Sequence, residues 1–255
     1  MAPLLSSSAV LYVVGRVNYL LFHALVEGFA IVVAALIYVL ATRTYKHSQN
    51  NMLLFLGIAY FYVAILDFGH LFTYKGMGVF PGFGADIPTQ LWIAGRFMEA
   101  VSLFISPLFQ RKQFNRWLTN AVYTLVIVCL LLSIMVFRVF PVCYIEGKGL
   151  TTFKVLSEYL IVFVLLASAY TLYSRRNQIE QGVFQSVGIA AIITAASELS
   201  FTLYTDVYGF ANMIGHMLKV VSYYLIYSGV VAYGIDAPYS LMSAELKSRA
   251  VKDVL

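Results

Sequence analysis

Long apolar stretches alternate with short polar connections along the whole chain. A bilayer core about 30 Å thick needs about 20 apolar residues in a helix, and seven stretches reach that length. They are Tyr19–Ala41, Met52–Tyr74, Thr89–Phe109, Trp117–Phe137, Thr152–Tyr173, Gly182–Tyr204 and Phe210–Tyr233. Leu4–Val14 is apolar but short, and we expect it to extend the first span or to lie at the membrane interface. The pattern predicts an all-α, polytopic membrane protein built as a seven-transmembrane-helix bundle.

The composition indicates that lipid is the solvent of this chain. Hydrophobic residues make up 61% of it and charged residues 11%, with a mean hydropathy of +0.81, whereas soluble domains carry about 25% charged residues. The net charge of +5 does not indicate nucleic-acid binding, because the basic residues lie in short connections rather than on one patch. Cys129 and Cys143 have no C-x-x-C spacing, so neither a zinc knuckle nor a redox motif is predicted.

Lysine and arginine residues indicate the orientation, because cytoplasmic connections carry an excess of them. With the C-terminus inside, ten basic residues cluster at cytoplasmic helix ends, against five in the outer connections. The inner ten are Arg43, Lys46, Arg111, Lys112, Arg116, Arg175, Arg176, Lys247, Arg249 and Lys252. We therefore predict an outside N-terminus and a cytoplasmic C-terminus. Residues 1–18 form an extracytoplasmic or interfacial segment, 19–233 the membrane domain, and 234–255 a cytoplasmic amphipathic signalling helix or linker.

A buried Asp, Arg or Lys costs roughly 2.5–3.5 kcal/mol to insert into a membrane span. Besides Lys154 at the start of the fifth span, which we count with the outer connections, ten ionisable side chains fall within the predicted spans. They are His23, Glu27, Asp67, His70, Arg96, Glu99, Glu158, Glu198, His216 and Lys219. All ten lie in the outer halves of their spans, and most form pairs three or four residues apart that share one helical face. We expect spans one, two, three, six and seven to surround a polar cavity open to the outside. The fourth span carries no such residue and is expected to be peripheral.

Four interpretations of these polar residues remain open. Ion pairs such as Arg96 with Glu99 and Lys219 with Asp67 would fix helix register without further function, and Glu158, near the outer end of its span, fits a bystander role. A small ligand would place an anionic group on Arg96 and Lys219 and a cationic group on the carboxylates.

The other two interpretations involve a metal. An ion such as zinc or copper, or a haem, would use His23, His70 and His216 as ligands with carboxylates close by. A seven-helix membrane metalloenzyme, similar to a zinc hydrolase, would use the same residues to activate water. The sequence contains no nucleophile or base motif that favours catalysis.

Three stretches contain specific motifs. "NNMLLFLGIAYFYVAILDFGHLFTYKGMGVFPG" holds D-x-x-H-x-x-x-Y-K-G-M, "TQLWIAGRFMEAVSLF" holds Q-L-W-I-A-x-R-x-x-E, and the region from Ser197 to Lys247 holds G-H-x-L-K. Over these motifs, from about Tyr19 to Lys247, the chain resembles the third type of membrane-associated sensor domain. That family supplies integral-membrane input domains to bacterial and archaeal histidine kinases and diguanylate cyclases. The chain is then expected to be either an excised input domain or a free-standing member.

The resemblance implies a non-enzymatic sensory input module, multi-pass in the plasma (inner) membrane of a prokaryote. Its candidate ligand-binding residues are His23, Glu27, Asp67, His70, Arg96, Glu99, Glu198, His216 and Lys219. Residues in secondary positions are Tyr74, Lys75, Trp92 and Asn212. The implied partners are the lipid bilayer, a small molecule or ion from the extracytoplasmic side, a cytoplasmic histidine kinase or diguanylate cyclase module, and a second copy of the chain. Binding, or histidine protonation, would shift the last span and pass the signal inward.

Overall fold

The computed structural model describes residues 2–203 and 208–236. The described residues form eight α-helices and one short hairpin. The helices are α1 Ala2–Val17, α2 Tyr19–Ser48, α3 Asn51–Thr73, α4 Asp86–Ile105, α5 Arg116–Leu131, α6 Thr152–Ser174, α7 Gln181–Phe201 and α8 Phe210–Val231. The antiparallel strands of the hairpin are β1 Tyr144–Ile145 and β2 Gly149–Leu150. Of the predicted signalling segment 234–255, everything after residue 236 lies outside the described residues.

Four of the eight helices are continued or followed by tighter or wider turns. A 3-10 turn, Ser106–Phe109, continues α4. π-helical turns, Leu132–Val136 and Ala232–Asp236, continue α5 and α8. A second 3-10 turn, Arg176–Gln178, lies between α6 and α7.

The seven predicted spans are confirmed as α2 to α8. Each of these helices, counted with any turn that continues it, is long and apolar enough to cross a membrane. The boundaries differ by up to seven residues: α2 ends at Ser48 instead of Ala41, and α4 begins at Asp86 instead of Thr89. The all-α class is confirmed, and the two-residue strands of the hairpin are the addition that apolar patterning did not predict.

The N-terminal segment is a separate helix rather than an extension of the first span. Asn18 adopts an extended conformation, with φ −146° and ψ 97°, and its side chain accepts a hydrogen bond from the Leu21 backbone N–H at 3.0 Å. A side-chain oxygen at this position satisfies a helix N–H that would otherwise lack a partner, so Asn18 starts a new helix. The bend brings Gly15 of α1 against α2 and α8, where a Cβ would lie 2.7 Å from Met213 Sδ.

Six of the spans form the packed body of the bundle, and the seventh lies outside it. Contacts join α2 with α3 and α8, α4 with α3 and α6, and α7 with α6 and α8. The fourth span, α5, packs mainly on α3 and is largely exposed in this chain. This confirms the peripheral position expected from its lack of ionisable residues.

Three connections meet at one end of the bundle, which we call the loop end. Lys75, just after α3, forms an ion pair with Glu146 of the hairpin at 2.7 Å. Asp86 Oδ1 at the start of α4 accepts hydrogen bonds from the backbone N–H groups of Cys143 and Tyr144, at 2.7 and 2.9 Å. The Tyr208 hydroxyl, just before α8, donates to the Lys75 carbonyl oxygen at 2.8 Å. These bonds fix the connections over the ends of the spans.

Candidate functional site

Eight of the predicted site residues meet inside the bundle, in the half next to the loop end. They come in pairs from α2, α3, α4 and α8, and each is at most 4% exposed. We call this group the buried cluster: His23, Glu27, Asp67, His70, Arg96, Glu99, His216 and Lys219. The three- and four-residue spacing explains the pairing, because it places both members of each pair on the inward face of one helix.

Carboxylates and basic groups form the deeper part of the buried cluster. Arg96 Nη2 donates to Asp67 Oδ1 at 2.7 Å. Lys219 Nζ lies 3.2 Å from Asp67 Oδ2 and 2.7 Å from Glu27 Oε2. Asp67 and Lys219 therefore each have two partners of opposite charge, and one network joins α2, α3, α4 and α8. The predicted pair of Lys219 with Asp67 is present in it.

Two tyrosines extend this network. Arg96 also pairs with Glu99, as predicted, and the Tyr60 hydroxyl donates to Glu99 Oε1 at 2.7 Å. Arg96 Nη2 lies 3.1 Å from the Tyr223 hydroxyl oxygen, and this hydroxyl donates to Asp67 Oδ2 at 3.0 Å. Buried charges are retained at low cost only when such hydrogen bonds satisfy them.

Three histidines form the part of the cluster nearer the loop end. His23 Nε2 and His70 Nε2 are 3.1 Å apart. His70 Nδ1 lies 2.8 Å from the Pro88 carbonyl oxygen, and His216 Nδ1 lies 2.8 Å from the Asn212 carbonyl oxygen. Since a carbonyl oxygen can only accept, both Nδ1 atoms carry a proton and donate it. In their neutral forms, His70 and His216 then present unprotonated Nε2 atoms to the interior.

Aromatic rings enclose both parts of the cluster. The Tyr74 ring stacks on His23, with ring centroids 3.6 Å apart. The Trp92 ring centroid lies 4.7 Å from Lys219 Nζ and 4.9 Å from Arg96 Cζ. A cation over the face of an indole is attracted by the ring quadrupole, so Trp92 contributes both apolar packing and charge stabilisation.

The polar cavity open to the outside that the sequence predicts is replaced by close packing. A cavity of about 20 Å³ adjoins His70 and His216, and residues of the loop end such as Lys75 and Ala85 line its other side. A single water needs about 10–15 Å³. The cavity therefore has room for one water or one ion, and it leads from the loop end to the imidazole groups.

Two predicted residues form no ion pair with the buried cluster, although both are in the same half of the bundle. Glu198 is buried on α7 but forms none of these ion pairs. Glu158 pairs with Lys154, one turn earlier on α6. The Lys154 Nζ also donates to the Phe201 carbonyl oxygen at 2.6 Å. Sequence reasoning assigned Lys154 to an outer connection, and the structure buries it completely in the first turn of α6.

The residues in secondary positions surround the histidine part. Tyr74 and Trp92 contact it directly, and Asn212 donates through Nδ2 to the Tyr74 hydroxyl at 3.2 Å. Lys75 is 40% exposed and pairs with Glu146 at the loop end. That hydrogen bond lowers the pKa of the Glu146 carboxyl group, with the Ala85 N–H as a further donor, and it raises the pKa of Lys75.

Sequence reasoning missed Tyr60 and Tyr223, both fully buried members of the network. Helical spacing would have identified them. Tyr60 lies seven residues before Asp67, and Tyr223 lies four residues after Lys219, so each shares a helical face with a charged residue.

Comparison with known proteins identifies a family for this chain. A family model described as a membrane-associated sensor domain (MASE3) matches residues 14–238. No curated protein and no solved structure matches the chain. The matched range includes α2 to α8 and all residues of the buried cluster.

Proposed function

Because this chain belongs to the membrane-associated sensor domain family, we propose that it is a sensory input module whose stimulus acts on the buried cluster. The observation that supports this proposal is the single network that joins α2, α3, α4 and α8. Ionisable groups inside a membrane protein are expensive and mark functional sites. A small ligand, a metal ion or a cofactor would each act by changing how these groups pair.

Transmission is proposed to run through α8. Lys219 and Tyr223 attach this helix to Glu27 of α2, Asp67 of α3 and Arg96 of α4. A stimulus that binds one arrangement of these pairs more tightly than another shifts the population between two positions of α8. The C-terminal end of α8 would then pass the shift to a cytoplasmic histidine kinase or diguanylate cyclase module.

The loop end is proposed to face the outside of a prokaryotic plasma membrane. Supporting this, the small cavity approaches the histidines from that end, and the basic clusters lie mainly at the other end, where the positive-inside rule places the cytoplasm. A membrane-impermeant maleimide applied to intact cells tests the orientation. It is expected to label Val79→Cys, which is exposed at the loop end, and to spare Lys112→Cys between α4 and α5. The reverse labelling pattern would contradict the orientation.

The metalloenzyme alternative uses the same histidines and remains the second candidate. The specific feature in its favour is the group of histidine and carboxylate side chains, which would hold a metal and activate water. The family match favours a sensory role, and the cavity beside the histidines has the size of a water or ion rather than of a substrate.

A chimera tests the sensory proposal. The whole chain is joined at its C-terminus to a diguanylate cyclase domain, and cyclic di-GMP is measured in cells. Lys219→Met removes a member of the cluster and is expected to change the output several-fold. Lys148→Met removes an exposed lysine from the hairpin and is expected to leave it unchanged. Equal outputs from wild type and Lys219→Met, at equal membrane abundance, would refute the proposal.

A further inference from the structure

We infer that the stimulus site binds one divalent transition-metal ion, held by His23, His70, His216 and Glu27. Each of these four buried side chains offers one ligand atom, and all four atoms lie within 4.8 Å of one another. Imidazole nitrogens and a carboxylate oxygen are ligands that zinc, copper and nickel accept. This inference deepens the proposed function by naming the chemical class of the stimulus.

The spacing of the ligand atoms fits a small metal ion. Ligands at 2.0–2.1 Å from a tetrahedral zinc ion lie about 3.3 Å from one another. His23 Nε2 and His70 Nε2 are 3.1 Å apart, and His216 Nε2 and Glu27 Oε1 are 3.4 Å apart. Two edges of a tetrahedron are thus already close to their final length. The longest separations, up to 4.8 Å, need to shorten by about 1.5 Å.

The surroundings orient these groups as metal ligands. Metal-binding histidines almost always donate their second ring N–H to a carbonyl or carboxylate. His70 and His216 do so, to the carbonyl oxygens of Pro88 and Asn212. Glu27 is held through its other oxygen by Lys219.

Two of the electron pairs that face the site lack hydrogen-bond donors, whereas that of His70 Nε2 faces His23 Nε2 at 3.1 Å. Within the described residues, His216 Nε2 and Glu27 Oε1 have no hydrogen-bond partner, although both are buried and 3.4 Å apart. Two unprotonated acceptors facing each other are unfavourable unless a cation or a proton lies between them. A metal ion would satisfy both of these atoms at once.

The balance of charges favours a cation over an anion. The buried cluster contains three carboxyl groups and two permanently basic side chains, Arg96 and Lys219. Both basic side chains are already held by carboxylates, as described above. An anionic ligand would therefore have to break existing ion pairs, whereas a cation meets groups with electron pairs available. The cavity of about 20 Å³ provides room for an ion, and a haem needs far more.

Direct metal binding tests the inference. The purified full chain in lipid nanodiscs is stripped with EDTA and titrated with Zn²⁺ against a competing indicator. We expect one ion per chain and a loss of affinity of more than about 100-fold in His23→Ala and His216→Ala, because changes outside the ligand set alone cost 10–100-fold. His47→Ala is the matched control, since it removes an exposed histidine at the end of α2, and it is expected to bind as wild type does.

X-ray absorption at the zinc edge of the wild type gives a second measurement that needs no variant to fold. Three imidazole nitrogens at 2.0–2.1 Å are expected. No binding, binding that His47→Ala removes, or a shell of oxygens alone would overturn the metal site. The chimera experiment is independent of this result. If Lys219→Met changes the cyclase output but the chain binds no Zn²⁺, the metal site is refuted and the sensory function stays supported.

Discussion

Replacing Arg96 by methionine tests whether the interior of the buried cluster is dry. The guanidinium group is 1% exposed and bonds to Asp67, Glu99 and Tyr223. Opposite unit charges 4 Å apart attract by about 4 kcal/mol at an effective dielectric constant of about 20. Removing one partner of a buried pair costs about 3–5 kcal/mol, because the other charge stays buried. We expect this loss in the free energy of unfolding, or roughly 150- to 4,000-fold in the equilibrium constant.

The measurement is unfolding of the purified chain in mixed micelles with a rising fraction of dodecyl sulfate. Arg116→Met is the matched control, because Arg116 is exposed at the start of α5, 5.8 Å from the Tyr45 ring centroid. Its effect is expected to stay within about 0.5 kcal/mol. In the double variant Arg96→Met, Asp67→Asn, the loss in the free energy of unfolding should be smaller than the sum of the losses in the two single variants. A loss below about 1 kcal/mol for Arg96→Met would mean that water solvates the carboxylates, and it would refute the dry cluster.

Two further predictions concern packing and the loop end. Gly215→Ala places a Cβ 2.6 Å from Phe201 Cε1 and should destabilise the chain by about 1–3 kcal/mol in the same unfolding assay. Gly188→Ala is the control, because its Cβ meets nothing within 4 Å, and it should be neutral or slightly stabilising. The ion pair of Glu146 with Lys75 is half exposed, so Glu146→Gln should cost no more than about 1 kcal/mol. Because the pKa of Glu146 is lowered, the contribution of this ion pair is present at neutral pH and is lost as the pH falls through the carboxyl range. As the pH falls, the amide exchange rate in residues 75–85, divided by the intrinsic rate at each pH, should therefore rise in wild type but not in the variant. Parallel pH profiles of this ratio would contradict the prediction.

The spans and the ion pairs within one helix could be predicted from the sequence, because both depend on the spacing of apolar and charged residues along the chain. Apolar length predicts α2 to α8, and the absence of charge predicts that α5 is peripheral. The three-residue spacing of Arg96 and Glu99 predicts their ion pair. Spacing within one helix defines a face, but not the distance to another helix, so the close packing around Asp67 could not be derived. Lys154 was misplaced for a related reason: a lysine at a helix end usually belongs to the connection, and only tertiary packing buries it.

Glu27 links the two parts of the buried cluster, and this position explains how an ion would move α8. Its Oε1 faces His216 and its Oε2 holds Lys219. A cation at the histidines would draw on the charge of Glu27 and weaken its pair with Lys219, which has Asp67 as a second partner at 3.2 Å. A complete shift between two states, from 1:99 to 99:1, needs about 5.5 kcal/mol of differential binding. Leaving one charge of a buried ion pair without its partner costs about 3–5 kcal/mol. An ion that takes over Glu27 would therefore bias the pairing of Lys219 with Asp67 by an energy of this order. A network paired this closely would resist small perturbations and would respond to an ion that competes for one of its carboxylates.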